Sequence, residues 1–393
     1  MRYSKYAIVV IGYNRPDNID RLLSSLEKVD YEGEQIDLII SIDNSGSDKV
    51  EYVANKFIWK YGNKRVETYP ERLGLKKHIL HCGSFVENYE AIAVFEDDLY
   101  VSNGFFQYMK AAVKKYSNDY KVAGISLYTH LWNPNPKVNL PFSPAESGYD
   151  NFFIQYAQSW GQIWMKKQWL AFMEWYKQNS DEIVVDENTP DYIGTWNNSW
   201  LKYHIKYCIE KNKYFVYPYR SYTTCFTDVG EHNNFGGSIY QVQLAKKINR
   251  SFCFCDLDST DAVCYDAYFE RNSSAFNLVD SSDLLVDIYG VKKISENNKK
   301  YILTTQKLNY KVIKSFDLCM RPHEENIIND IRGECIRLYD TSTIVKQKKI
   351  KDDVKIYIYY HRLHGNMDRI FKTGLVKIYE YLMIKKIQLL KRR

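Results

Sequence analysis

An apolar run that ends in three consecutive carboxylates constrains the fold of this chain more than any other feature. Residues 91–95, Ala-Ile-Ala-Val-Phe, have the apolar, β-branched character of a buried strand, and Glu96, Asp97 and Asp98 follow directly. Adjacent negative charges repel one another and cannot be buried unpaired. The triplet therefore predicts either a polar strand end that faces solvent or a cation site. A hard divalent ion held by carboxylates and phosphate oxygens is the usual form of such a site.

Two other apolar runs also end in polar residues. Residues 6–13 have the character of a buried strand and lead into Asn14 and Arg15, after which leucines recur at helical spacing. A third run, residues 36–42, ends at Asp43. This alternation predicts a mostly parallel, doubly wound α/β sheet, whose ligands gather at the carboxyl ends of the strands. Taken alone, Asp43 is better explained as a turn-forming residue.

The segments at these strand ends resemble those of nucleotide-sugar glycosyltransferases of the GT-A fold. The N-acetylglucosaminyltransferase I type and its bacterial relatives are the most similar. The matching segments are residues 8–16, 41–47 and 94–106, with two Trp-rich segments at 159–164 and 195–200. The resemblance covers about residues 5–235. It implies a GT-A (Rossmann-like) doubly wound mixed sheet, and a catalytic domain that spans residues 1–238.

A nucleotide site at the strand ends is the first implication of the resemblance. The residues that it implies there are Asn14, Arg15, Asp43, Arg72, Glu96 and Asp97. Asp43 would accept a hydrogen bond from the base or the ribose, and Asp97 would face the ribose or the sugar. Arg72 would lie near the base and the diphosphate, although an ordinary solvated charge explains it equally well.

A metal site is the second implication. Asp98 would be the main protein ligand of Mn²⁺ or Mg²⁺. His232 would be a second ligand or a phosphate contact, although a loop histidine is usually just solvated. The chemistry is coherent, because a nucleoside diphosphate leaving group develops negative charge that a bridging metal stabilises.

An inverting transferase also needs a carboxylate general base that activates the acceptor hydroxyl. In the resembled enzymes an Asp follows the first Trp of the second Trp-rich segment. This chain has Asn197 and Asn198 there, and amides cannot accept a proton near neutral pH. The substitutes that we expect are Asp191, Asp228 and Glu231. Trp160 is expected to line the acceptor pocket.

The rest of the chain is predicted to form two further parts. Residues 239–345 are expected to be a small α/β appendage, with strands at 301–305 and 310–316. Residues 346–393 hold 14 Lys and Arg against 4 Asp and Glu, with apolar residues near helical spacing. This pattern predicts a basic amphipathic helical tail that binds an anionic membrane surface. A solvated or partner-binding helix is the alternative, and no nucleic-acid module accompanies the charge.

The compartment is predicted from the cysteines and the N-terminus. The eight cysteines show no zinc-site spacing, and a chain of this length does not need disulfides. The first residues lack the pattern of a signal peptide, and no apolar run reaches the length of a membrane span. We therefore expect a cytoplasmic protein that works at the inner face of the plasma membrane.

The resemblance thus implies a transferase that moves a sugar from a nucleotide-sugar donor, UDP-linked, to a glycan or lipid-linked glycan in bacterial surface polysaccharide synthesis. A sugar-nucleotide pyrophosphorylase is one alternative, but the segment 12–16 is not the Gly-rich phosphate loop that such an enzyme needs. A catalytically inactive nucleotide-sugar or carbohydrate-binding module is the other. Asn197 and Asn198 favour that module, because they stand where the base is expected.

Overall fold

The structure is a computed structural model of the 393-residue chain. It describes residues 4–135, 140–181, 183–226, 228, 240–246, 251–296, 298–346, 354–361 and 367–390. Glu231 and His232, a predicted base and a predicted metal ligand, lie outside the described residues.

A nine-stranded mixed sheet forms the centre of the larger domain. The strands of residues 6–265 are β1 (Tyr6–Gly12), β2 (Asp37–Ile42), β3 (Lys64–Thr68), β4 (Ala91–Glu96), β5 (Leu99–Val101), β6 (Val122–Ser126), β7 (Asn151–Ile154), β8 (Gln162–Met165), β9 (Tyr214–Pro218), β10 (Thr223–Cys225) and β11 (Cys264–Tyr265). Their order in the large sheet is β11-β7-β9-β6-β8-β4-β1-β2-β3. The first four strands of the chain are parallel to one another, and β8 pairs antiparallel with both β4 and β6. The remaining two strands, β5 and β10, form a separate antiparallel pair.

Helices cover both faces of the large sheet. They are α1 (Pro16–Glu27), α2 (Lys49–Lys56), α3 (Leu75–Ser84), α4 (Phe105–Tyr116), α5 (Lys166–Gln178), α6 (Asp191–Gly194) and α7 (Leu201–Glu210). The apolar residues of α1, α2 and α4 belong to one hydrophobic core, and those of α3, α5 and α7 belong to another. Helix α1 begins with Pro16 at its first turn, where a missing N–H costs nothing. The predicted α/β, doubly wound, GT-A-like mixed sheet is thereby confirmed.

A second, four-stranded sheet forms the appendage. Its elements are β12 (Leu284–Asp287), β13 (Tyr301–Thr304), β14 (Tyr310–Phe316), α8 (Glu325–Ile328) and β15 (Ile336–Ile344), with strand order β12-β13-β15-β14. The preceding segment still belongs to the larger domain, because β11 pairs with β7 and the Cys255 N–H donates to Asn151 at 2.8 Å. The division at residue 239 stays a prediction, but part of the segment assigned to the appendage lies in the large sheet.

Two helices end the described chain, α9 (Val354–His361) and α10 (Met367–Leu390). Helix α9 packs on the appendage: Tyr360 is 4% exposed, its hydroxyl lies 3.2 Å from Nδ1 of His323, and Lys355 bonds Asp317 at 2.6 Å. Apolar side chains of α10 are instead exposed, among them Phe371 and Leu382. Within the ranges described, no helix has the length and apolar character that a membrane crossing requires.

Candidate active site

The carboxyl ends of β1 and β4 lie side by side and bring Arg15 to the acidic triplet. The two strands are parallel neighbours in which Ile11 is opposite Glu96. Nε of Arg15 donates to Oδ2 of Asp97 at 3.3 Å, and Nη2 of Arg15 donates to Oδ1 of the same carboxylate. Asp97 is 4% exposed, so this fork-shaped pair compensates a buried charge.

Burial makes the triplet electrostatically unfavourable despite Arg15. It raises the pKa of Asp97 to about 6, against the opposing effect of the guanidinium. Burial, followed by the charges of Asp98 and Asp97, raises the pKa of Glu96 to about 8. The pKa of Asp98 is also raised, chiefly by burial. A cluster of this kind gains free energy by taking up protons or a divalent cation, because either one removes the repulsion.

Asp98 is held from the far side of the site by β10. The pairing of β5 with β10 places Cys225 opposite Leu99, and Sγ of Cys225 donates to Oδ2 of Asp98 at 3.6 Å. The Phe226 N–H donates to the carbonyl of Asp98 at 2.9 Å. The other carboxylate oxygen, Oδ1, is buried and has no hydrogen-bond partner in the described part of the chain. An orphaned carboxylate oxygen beside two other acids fits a hard cation.

The described ranges contain no group of three or more His, Cys, Asp and Glu side chains arranged to hold a metal ion. Mg²⁺ usually takes one or two carboxylates from the protein and its other oxygens from phosphates and water. The donor set around Asp98 therefore fits such a cation only together with a phosphate ligand.

Asp43 orders the loop that carries Arg72. Its Oδ1 accepts from the backbone N–H groups of Leu73 at 2.7 Å and Asn44 at 2.9 Å. Its Oδ2 accepts from the N–H of Gly74 at 2.9 Å. This carboxylate fixes the start of α3, and the hydrogen bond to a base or ribose stays a prediction.

Arg72 and Asn14 lie at the same edge of the sheet. The Arg72 guanidinium lies over the Tyr13 ring, 4.8 Å from its centre. Tyr13 and the exposed Asn14 directly follow β1, as Asp43 follows β2. The structure thus brings Asn14, Arg15, Arg72 and the acidic triplet to neighbouring strand ends, where doubly wound sheets bind ligands.

Asp228 and Asp191 lie in different surroundings. Oδ2 of Asp228 accepts from Nδ2 of Asn18 at 2.9 Å and from Nη2 of Arg21. Asp228 also acts electrostatically on Asp98 across the site. Asp191, at the start of α6, instead forms an ion pair of 2.9 Å with Lys293 of the appendage. The role of either residue as general base stays a prediction.

Trp160 borders the site on the β10 side. Its carbonyl accepts from Oγ1 of Thr223 in β10 at 2.5 Å. Its ring lies against Tyr240 and Tyr128, with centres 4.3 and 4.9 Å apart. Asn197 and Asn198 are exposed. Trp160 therefore stands beside the strand that holds Asp98, partly covered by other aromatic rings.

Sequence reasoning missed two residues of the site, Arg21 and Cys225. Arg21 lies between the Phe226 ring, at 4.0 Å, and the Asp228 carboxylate. Cys225 holds Asp98. No local pattern in the sequence marks either of them.

The part of the chain that carries this site matches a known family of glycosyltransferases. The family model of glycosyl transferase family 2 matches residues 7–170, from β1 into α5, and so includes Arg15, Asp43 and the acidic triplet. The closer likeness to the N-acetylglucosaminyltransferase I type stays a prediction. No curated protein matches the sequence.

Solved glycosyltransferase structures are similar to parts of the chain. TarS 1–349 of S. aureus in complex with UDP-GlcNAc has a TM-score of 0.38 and 16% identity, over 58% of this chain and 60% of that chain. The mannosyltransferase PcManGT from Pyrobaculum calidifontis, in complex with GDP-Man and Mn²⁺, has a TM-score of 0.31 and 15% identity, over 49% and 51%. The chain thus matches less than two thirds of the length of these proteins. A likeness of this extent assigns no substrate.

Proposed function

We propose that the protein is a metal-dependent glycosyltransferase. It would move a sugar from a UDP-linked donor to a hydroxyl of a glycan or lipid-linked glycan, with inversion, in the synthesis of a bacterial surface polysaccharide. The observation that carries the proposal is the acidic triplet at the end of β4, where Asp97 is buried and the buried Oδ1 of Asp98 has no partner among the described residues. Three adjacent acids that are partly removed from water are unfavourable on their own. A bound cation offsets this cost, so the arrangement indicates a cation site.

The residues at the strand ends divide the work of donor binding. Asp98 would hold Mn²⁺ or Mg²⁺, which supplies positive charge for the departing diphosphate. Arg15 fixes the Asp97 carboxylate in one orientation, and we expect that carboxylate to face the ribose or the sugar. Asp43 fixes the loop of Arg72, which we expect beside the base and the diphosphate. Each of these groups is positioned before the donor binds, which reduces the cost of binding.

A general base must remove the proton of the acceptor hydroxyl as the new bond forms. We favour Asp228, because it lies three residues after the end of β10 and acts electrostatically on Asp98. Its ion pair with Arg21 would orient the carboxylate while leaving Oδ1 to accept a proton. Asp191 and Glu231 remain the other candidates.

We further propose that α10 places the enzyme on an anionic membrane surface in the cytoplasm. Phe371, Leu375, Ile378 and Leu382 recur at helical spacing and are each at least half exposed. Exposed Lys385 and Lys386 follow on the same helix. Exposed apolar side chains together with lysines are typical of a helix that binds a membrane surface, and eight free cysteines suit a reducing compartment.

A thermal-shift screen tests the proposed activity. The full-length protein is heated with a panel of UDP-, GDP- and dTDP-sugars, with Mn²⁺ and with a chelator. A ligand that binds only the folded state raises its melting temperature. We expect a rise with UDP-sugars that requires the metal, together with slow hydrolysis of the same donor. No response to any nucleotide would contradict the proposal, and binding without hydrolysis or transfer would favour the inactive module that Asn197 and Asn198 suggest.

A further inference from the structure

A groove lies at the start of β10, at the opposite end of this strand from Cys225 and Asp98. It encloses about 390 Å³ between the β9–β10 connection, the residues that precede β7 and the segment around Phe252. Tyr222 lies at its inner end, and its carbonyl accepts from the Ser102 N–H at 2.8 Å. Three residues of extended chain, or about 10 Å, separate Tyr222 from Cys225, which holds Asp98.

Aromatic rings line this groove, and internal contacts hold two of them. The Tyr219 hydroxyl donates to the Ala145 carbonyl at 2.6 Å, which fixes its half-buried ring. Phe252 packs on Tyr108, with ring centres 5.5 Å apart, and Tyr149 completes the half-buried aromatic lining. Rings that are fixed in advance lose little conformational entropy when a ligand packs on them.

The polar lining of the groove has no excess of either charge. Arg220 and Lys246 contribute positive charge, and Glu146 and Asp150 contribute negative charge. Arg220, Lys246 and Glu146 are exposed, and the described ranges show no ion pair for any of them. Asp150 instead uses Oδ2 to accept from the Cys253 N–H at 2.7 Å. Three charged side chains without ion pairs can therefore hydrogen bond to a ligand that carries both donors and acceptors.

We propose that this groove binds a neutral oligosaccharide, the part of the acceptor glycan that precedes the sugar to be extended. Sugar rings have an apolar face that packs on aromatic rings, and their hydroxyl groups both donate and accept hydrogen bonds. The apolar face of a sugar would pack on Tyr149, Tyr219 and Phe252. Its hydroxyl groups would hydrogen bond to Arg220, Lys246 and Glu146. A nucleotide or an acidic polymer would instead call for an excess of positive charge. The proposal rests on the proposed function, since it names the acceptor class of that same enzyme.

The test measures glycan binding apart from catalysis. The full-length protein is applied to an array of neutral and acidic oligosaccharides, as wild type and as the variants Tyr149→Ala and Arg220→Ala. The matched controls are Tyr120→Ala and Arg332→Ala, because both residues are exposed and lie outside the groove. We expect neutral oligosaccharides to bind and each groove variant to lose at least about tenfold in affinity, with the controls unchanged.

The thermal shift with UDP-sugars and Mn²⁺ is measured on the same variants and should not change. The proposal would be overturned if the wild-type protein bound no neutral glycan on the array. It would also be overturned if both groove variants bound neutral glycans as tightly as the wild type. A preference for acidic glycans would do the same. If the wild-type protein bound neutral glycans but showed no thermal shift with UDP-sugars, the proposed function would be contradicted. The groove would still be a carbohydrate-binding site.

Discussion

The side chains of Arg15 and Asp97 connect the carboxyl ends of two neighbouring parallel strands. Nε of Arg15 lies 3.3 Å from Oδ2 of Asp97, and Nη2 bonds Oδ1. Arg15 forms its ion pair with one of the three adjacent carboxylates, and its charge only partly offsets the raised pKa values of Glu96 and Asp98. Because Arg15 is already paired with Asp97, we expect the bound cation to lie next to Asp98.

Replacing Asp98 with Asn should abolish metal-dependent donor binding. The amide keeps the size of the side chain but removes the negative charge that the cation needs. We expect the melting-temperature rise with UDP and Mn²⁺ to disappear. Transfer should fall by about 10²-fold or more, since the metal contributes several kcal/mol to the transition state. Asp20→Asn, an exposed position on α1, is the control. Near-normal transfer by Asp98→Asn would contradict the assignment of the triplet.

Amide variants of the candidate bases should identify the true one. We expect Asp228→Asn to lower the chemical step by roughly 10²–10⁴-fold while donor binding changes little. Arg21→Gln is the matched variant, because it breaks the same ion pair but keeps the carboxylate. The rate should fall much less in Arg21→Gln than in Asp228→Asn.

An equal loss of transfer rate in Asp228→Asn and Arg21→Gln would indicate that Asp228 acts through its ion pair with Arg21 and not as the base. Asp191→Asn and Glu231→Gln are then the variants to compare. Normal transfer by all three amide variants would exclude the whole set of bases, and with it this form of the inverting mechanism.

Glu324 should make the protein less stable as the pH rises. Burial raises its pKa from 4.5 to about 7, and the Tyr265 hydroxyl donates to its Oε1. Between these values the folded protein holds a proton that the unfolded chain has lost. The contribution of Glu324 to the free energy of unfolding is therefore greatest below about pH 4.5 and is lost as the pH rises to about 7. Glu324→Gln imitates the protonated acid and should be more stable than wild type by up to about 3 kcal/mol at about pH 9.

Urea unfolding at about pH 5 and about pH 9 measures this difference. The gain of Glu324→Gln should shrink at the lower pH, whereas Glu334→Gln, at an exposed position, should change little at either. A gain of the same size at both values would attribute the effect to packing instead of titration.

Local sequence pattern was enough to predict the strands and helices that form the site. Strands β1, β2 and β4 are each specified by their own apolar residues, and Pro16 marks the start of α1. The contact of Cys225 with Asp98 joins positions 127 residues apart and depends on the pairing of β5 with β10. No window of sequence contains such a pairing, so it could not be predicted.

The same limit applies to the acids and to the tail. Asp43 was explained as a turn-forming residue, and its bonds to the Leu73 and Gly74 amides show the distant loop that the turn serves. Asp228 and Arg21 are 207 residues apart. The basic tail was predicted as one segment, whereas Tyr360 is buried on the appendage and α10 is exposed. The two helices differ because α9 packs on the surface of the appendage. Such a contact cannot be predicted from the composition of the tail.

Removing α10 should release the enzyme from anionic vesicles. The deletion begins at residue 367, so that α9 keeps its contacts with Asp317 and His323. We expect the full-length protein to co-sediment with phosphatidylglycerol vesicles at low salt and to dissociate as salt rises, because the lysine contributions are screened. The shortened protein should stay in solution and still hydrolyse the donor.

Two sets of point variants separate the apolar and the charged contributions of α10. Replacing Lys372, Lys385 and Lys386 with Gln should cost about 1 kcal/mol each, or roughly 100-fold in all, on anionic vesicles. Replacing Leu375 and Leu382 with Ser should weaken binding to anionic and neutral vesicles alike, since the apolar contribution does not depend on lipid charge. If the full-length protein ignores anionic vesicles even at low salt, the exposed apolar side chains of α10 must serve a protein partner.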